Sequence, residues 1–97
     1  MKKLALLLVL FSFTCIAQVG IGTTTPLGAL DITSDNLGLV LPRVTKIEDV
    51  TNNNSGLAED GTIVYDISRE KTCFRIFDSW ICLGKDASGD AIIEVVN

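Results

Sequence analysis

Hydrophobic and polar positions change rhythm several times along this chain. Residues 4–11 are apolar without interruption, directly after Met1, Lys2 and Lys3. Residues 18–26 are dominated by glycine and threonine up to Pro26, which disfavours helix at Thr25 and predicts an extended segment. Residues 27–33 alternate, with Leu30 and Ile32 on one side and Asp31 on the other, as in a short strand. A polar turn at 34–36 follows, and the apolar run 37–41, stopped by Pro42, reads as a short buried strand. Thr45 and Glu48 have the spacing of a capping box, which predicts one short helix near 45–50. The Asn-rich run 52–56 is a loop, with an Asn53-Asn54-Ser55 sequon that carries little weight in an exported bacterial chain. In 62–67, Ile63, Tyr65 and Ile67 share one face of a strand. A polar linker over 84–90 leads to a last strand over 91–97.

The stretch "CFRIFDSWIC" has the pattern of a β-hairpin. Placing a two-residue turn at Asp78-Ser79 pairs Phe77 with Trp80, Ile76 with Ile81, Arg75 with Cys82 and Phe74 with Leu83. Phe74, Ile76, Ile81 and Leu83 then share one face. All four are apolar, so this face is expected to be the core. The opposite face collects Cys73, Arg75, Phe77, Trp80 and Cys82, a mixed set expected to be partly exposed or to meet a partner. In this register Cys73 and Cys82 are diagonal neighbours, typically about 7–8 Å apart. A disulfide between them then requires strand twist to draw the diagonal in. Arg75, Phe77 and Trp80 form a candidate interaction patch with a cation–π contact. The equal alternative is that Trp80 merely covers the core edge.

The first residues decide the compartment. A short basic start, an apolar run and small residues at Cys15 and Ala17 read as a secretory signal peptide cleaved before Gln18. The apolar run falls short of the roughly 20 residues a membrane span needs. A lipoprotein signal ending at Cys15 is the rival, but bulky Phe13 stands where such signals want a small residue. The expected organisation is a signal peptide at 1–17, an extended segment at 18–26, a small β domain at 27–84, and a linker with a terminal strand at 85–97. The predicted fold is mainly β, a small antiparallel sheet or meander with one short helix. Export places Cys73 and Cys82 where disulfides persist. A domain this small is marginal alone and needs such a staple or a partner.

The net charge of −4, made more negative by loss of Lys2 and Lys3, repels phosphate backbones, so no nucleic-acid partner is expected. Contact with membrane is expected only through the signal peptide. The run Gly20-Ile21-Gly22 looks like a phosphate loop, but Pro26 follows and no lysine is in reach. The chain has no histidine, the commonest general base and zinc ligand. No catalytic residue, metal site or cofactor is therefore expected. Residues 86–90 hint at a calcium loop without its alternating ligands. Carboxylates beside Trp80 leave one alternative, a small carbohydrate-binding or carbohydrate-acting protein outside the cytoplasm.

Four motifs, "VGIGTTTPLGALDI", "GLVLPRVT", "GTIVYDI" and "CFRIFDSWICLG", occur here in that order. Together they resemble a group of exported Bacteroidota proteins, similar to the N-terminal part of phage-tail-fibre-like or adhesin-like surface proteins. The resemblance implies a β-rich module of an elongated, often trimeric, surface or secreted fibre, with no catalytic residues to carry over. The expected function is thus a non-enzymatic exported structural or interaction module. Self-association, as a trimer or with other surface proteins, is its expected mode. An apolar face open to solvent in the single chain would favour assembly; carboxylates clustered beside Trp80 in a cleft would favour the carbohydrate alternative.

Overall fold

The computed structural model of the protein describes residues 2–11 and 17–97. The expected cleavage region at 12–16, with Cys15, lies outside them. Lys2–Phe11 form a helix, α1. No helix among the described residues is long and apolar enough to cross a membrane. The remainder is mainly β, with seven strands in two sheets and one short 3-10 helix. The chain divides into two compact units, Met1–Gly38 and Leu39–Asn97.

In the first unit, β1 (Val19–Ile21) and β2 (Leu30–Ile32) pair in parallel, with Val19 beside Leu30 and Ile21 beside Ile32. The threonine-rich run between them is a crossover rather than a phosphate loop. Gly22 has φ +75°, and a Cβ there would run into the Thr33 carbonyl, so the glycine serves the return of the chain. Asp31 accepts a hydrogen bond from the Leu27 amide at 2.8 Å, fixing the approach to β2.

The second unit is a five-stranded sheet in the order β3 (Arg43–Val44), β4 (Ile63–Asp66), β5 (Lys71–Ile76), β6 (Ser79–Lys85) and β7 (Ala91–Val96). The last four strands form an antiparallel meander; β3 joins it in parallel. Residues 37–41 form no strand. Leu37, Leu39 and Val40 are exposed, which corrects the expectation of a buried strand. The helix is shorter than a capping box would open, Ile47–Asp49 only. Its N-cap is Lys46 without a side-chain cap bond; Thr45 does not cap it.

The hairpin forms, but its turn is Phe77-Asp78, with Ile76 opposite Ser79. Both turn residues have positive φ, +50° and +62°, the backbone of a type I′ turn that matches strand twist. The Asp60 carboxylate accepts the Asp78 amide at 3.1 Å and holds the turn in place. The register therefore shifts by two residues, which preserves which side chains share a face. It also converts the diagonal cysteines into a directly facing pair. Cys73 lies opposite Cys82, their Cα atoms are 4.0 Å apart, and the two are disulfide-bonded.

The inner and outer sides of the sheet are the reverse of expectation. The buried core is Ile47, Ala58, Val64, Cys73, Trp80 and Cys82, with Val44, Val50 and Val96 packed against it. This is the mixed face, covered by the 3-10 helix and the segment that follows it. Phe74, Ile76, Ile81 and Leu83 do share a face, as expected, but it is the uncovered one. Residues 45–62, the long connection between β3 and β4, fold back over the face that holds the disulfide and a buried carboxylate.

Candidate assembly face

Alternation along five paired strands gathers one set of side chains on the uncovered face. From β4 come Ile63 and Tyr65, from β5 Phe74 and Ile76, from β6 Ile81 and Leu83, and from β7 Ile93 and Val95. Cross-strand pairs put Ile63, Phe74, Ile81 and Val95 in one continuous row across four strands. Ile93 is 71% exposed and Val95 62%; Ile63, Ile76 and Leu83 are also exposed. With strand and residue spacings of roughly 4.8 and 3.3 Å, the face covers roughly 350 Å² in projection. That is the size of the largest apolar patch on a typical monomer, and such patches are often functional. Next to it, Leu39, Val40, Leu41, Arg43, Tyr65 and Thr72 line a hollow of about 300 Å³. Arg43, opposite Tyr65, and Lys85, at the end of β6, bring positive charge to the margins of this face.

The covered face is held by charge. Asp66 is fully buried and accepts hydrogen bonds from the Ile47 amide (3.0 Å), the Ser68 hydroxyl (2.7 Å), the Arg69 amide (3.0 Å) and the Arg69 guanidinium (2.9 Å). Burial pushes its carboxyl up, but these bonds together outweigh that and bring it down to about 2. Arg69 also grips Glu48 through both terminal nitrogens, which lowers the Glu48 carboxyl and raises Arg69 itself. Glu94 on β7 receives Lys71 at 3.0 Å and Arg69 at 3.7 Å. Gly84 makes the first contact sterically feasible, because a Cβ there would collide with the Lys71 stem. The 3-10 helix, β4, β5 and β7 are thus tied together on one side, leaving the other side flat and apolar.

The three residues of the candidate patch are not brought together. Arg75 and Trp80 face each other across β5 and β6, with the guanidinium carbon 5.6 Å from the ring centroid. Both are buried, at 6% and 5% exposure. Phe77 sits apart at the hairpin tip, 89% exposed. The cation–π contact is therefore part of the covered face. Of the uncovered face, Phe74, Ile76, Ile81 and Leu83 are the set that the sequence pattern assigns to the core; the pairing of β4 and β7 adds Ile63, Tyr65, Ile93 and Val95. No group of three or more metal-ligating side chains occurs among the described residues. In the 86–90 turn, Asp86 Oδ1 accepts from the Ser88 and Asp90 amides and the Ser88 hydroxyl, so that carboxylate closes a hairpin.

Residues 20–92 match the family described as phage tail like trimerisation region. The chain belongs to that family. The match begins inside β1, takes in β2 to β6 whole and ends two residues into β7, before Ile93 and Val95. A trimerisation region points to a structural module that associates with two further copies, and so to a phage-tail-fibre-like module. No curated protein and no solved structure is significantly similar to the chain.

Proposed function

We propose that this phage tail like trimerisation region is a non-enzymatic structural module of an exported, cell-surface or secreted fibre, and that its copies meet through the uncovered face of the five-stranded sheet. The observation that carries this reading is the apolar row across β4 to β7 in a chain of a trimerising family. A one-layer sheet with a single covered side leaves large aliphatic groups in water. Three copies packing these faces about a common axis remove them, which is the favourable term in association. The carbohydrate alternative draws less support. The Arg75 guanidinium lies over the Trp80 ring, and Glu48, which lines the same cavity, is held by Arg69. Export rests on the basic start, the apolar run and the disulfide.

Light scattering coupled to size-exclusion chromatography tests the assembly. The native chain is expected at three times its chain mass, and Ile93→Asp with Val95→Asp is expected to give a monomer of unchanged far-ultraviolet circular dichroism. A native monomer, or a double variant that remains trimeric, would overturn the role given to this face. Intact mass of the protein recovered outside the cell is expected to begin at Gln18; retention of residues 1–17 in a cytoplasmic product would sink the export reading.

A further inference from the structure

On the covered side of the sheet, a cavity of about 280 Å³ lies between the hairpin and the segment above it. Its lining includes Ile47, Ala58 and Trp80, the Arg75 guanidinium, and the carboxylates Glu48 and Asp78. Arg75 is 6% exposed, its Nε has no hydrogen-bond partner, and it takes part in no ion pair among the described residues. Every other buried charge in this unit is matched: Asp66 has four donors. The buried Nε without an acceptor is costly, and a carboxylate binding the guanidinium fork through Nε and a terminal nitrogen would satisfy it. The walls supply apolar contact from Ile47, Ala58 and Trp80, so the ligand's body should be small and apolar. The volume lies at the low end for ligand sites, suiting a side-chain-sized group rather than a large cofactor.

The geometry points to a binding site for a small carboxylate with an apolar body, its head on Arg75 and its stem against Trp80. This goes beyond the assembly reading, because the cavity is on the side of the sheet away from the proposed trimer face. The carboxylate is that of a free molecule, because the copies of the proposed trimer meet on the opposite side of the sheet.

Trp80 is the single tryptophan, so its fluorescence reports on this cavity alone. Titrating the native protein with propanoate is expected to give a saturable change in emission that propanamide, its neutral isostere, does not give. Arg75→Met is expected to weaken the propanoate response at least about ten-fold, the loss typical of a charge-assisted bond. Asp78→Asn, which removes a wall carboxylate, should leave or strengthen it. The monomeric Ile93→Asp, Val95→Asp variant, altered only on the opposite side of the sheet, is expected to respond to propanoate as the native protein does. No propanoate-specific response in either protein, or an equal response to propanamide, overturns the proposal. Neither of those results bears on the oligomeric mass, so the assembly reading stands or falls separately.

Discussion

Asp66 shows how one buried carboxylate organises a covered face. It receives amides from the 3-10 helix and from the β4–β5 turn, and it shares Arg69 with Glu48. Replacing it with alanine strands the Ile47 and Arg69 amides, and we expect Asp66→Ala to lower unfolding free energy by about 3 kcal/mol. The pH dependence has a defined sign. The folded-state pKa is about 2, below the ordinary 3.8. Its contribution, about 2 kcal/mol, is therefore complete above pH 4 and is lost as pH falls toward 2. Urea titrations at fixed protein concentration should show the gap between native protein and Asp66→Ala narrowing across that window. A constant gap would mean the carboxylate is not held as described. In the sequence, Asp66 is one more alternating polar residue in a strand; only the fold-back of residue 47 onto it makes it a centre, and no local pattern records that contact.

At the level of the element, the hairpin was legible in kind and misplaced in detail. Alternation identified two strands and the correct partition of side chains. It did not locate the turn, because Phe77 at positive φ is a choice that turn chemistry disfavours. The same strain yields a prediction: Phe77→Asn with Asp78→Gly suits both turn positions and is expected to raise stability by about 1 kcal/mol in thermal or urea unfolding. A loss would show that the aromatic tip contributes packing we have not assigned. The disulfide joins residues nine apart in sequence. Replacing both cysteines by alanine is expected to cost about 3 kcal/mol on the chain-entropy estimate. The short apolar run at 37–41 misled for another reason: it has strand composition but no partner strand, since β4 pairs instead with Arg43 and Val44. Likewise Thr45 has the spacing of a cap, yet the helix begins one residue too late to use it.

For the whole molecule, apolarity proved a guide to burial but not to burial within one chain. Phe74, Ile76, Ile81 and Leu83 were recognisable as a set that must leave water. Nothing in the sequence states whether a loop or another copy will cover them. Within the second unit, the 45–62 segment covers one face. If the other face is covered by two further copies, folding and association are linked, and melting temperature should rise with protein concentration. Calorimetry over a hundred-fold concentration range checks this; a concentration-independent transition would separate the two processes. The dilute chain should also bind a hydrophobic dye more strongly than the concentrated one.

The outer rim of the sheet carries a further consequence. On one side it ends in β3, two residues long, too brief to template another strand. On the other it ends in β7, "AIIEVV", six residues of strong β-formers with one charge. Glu94 turns toward Lys71 and Arg69, so the lone acid is spent inside its own chain and leaves the outward hydrogen-bonding row of β7 ungated. A fibre built from such modules has a ready place for lateral growth, strand beside strand, and a truncated or misassembled copy has the same place from which to aggregate.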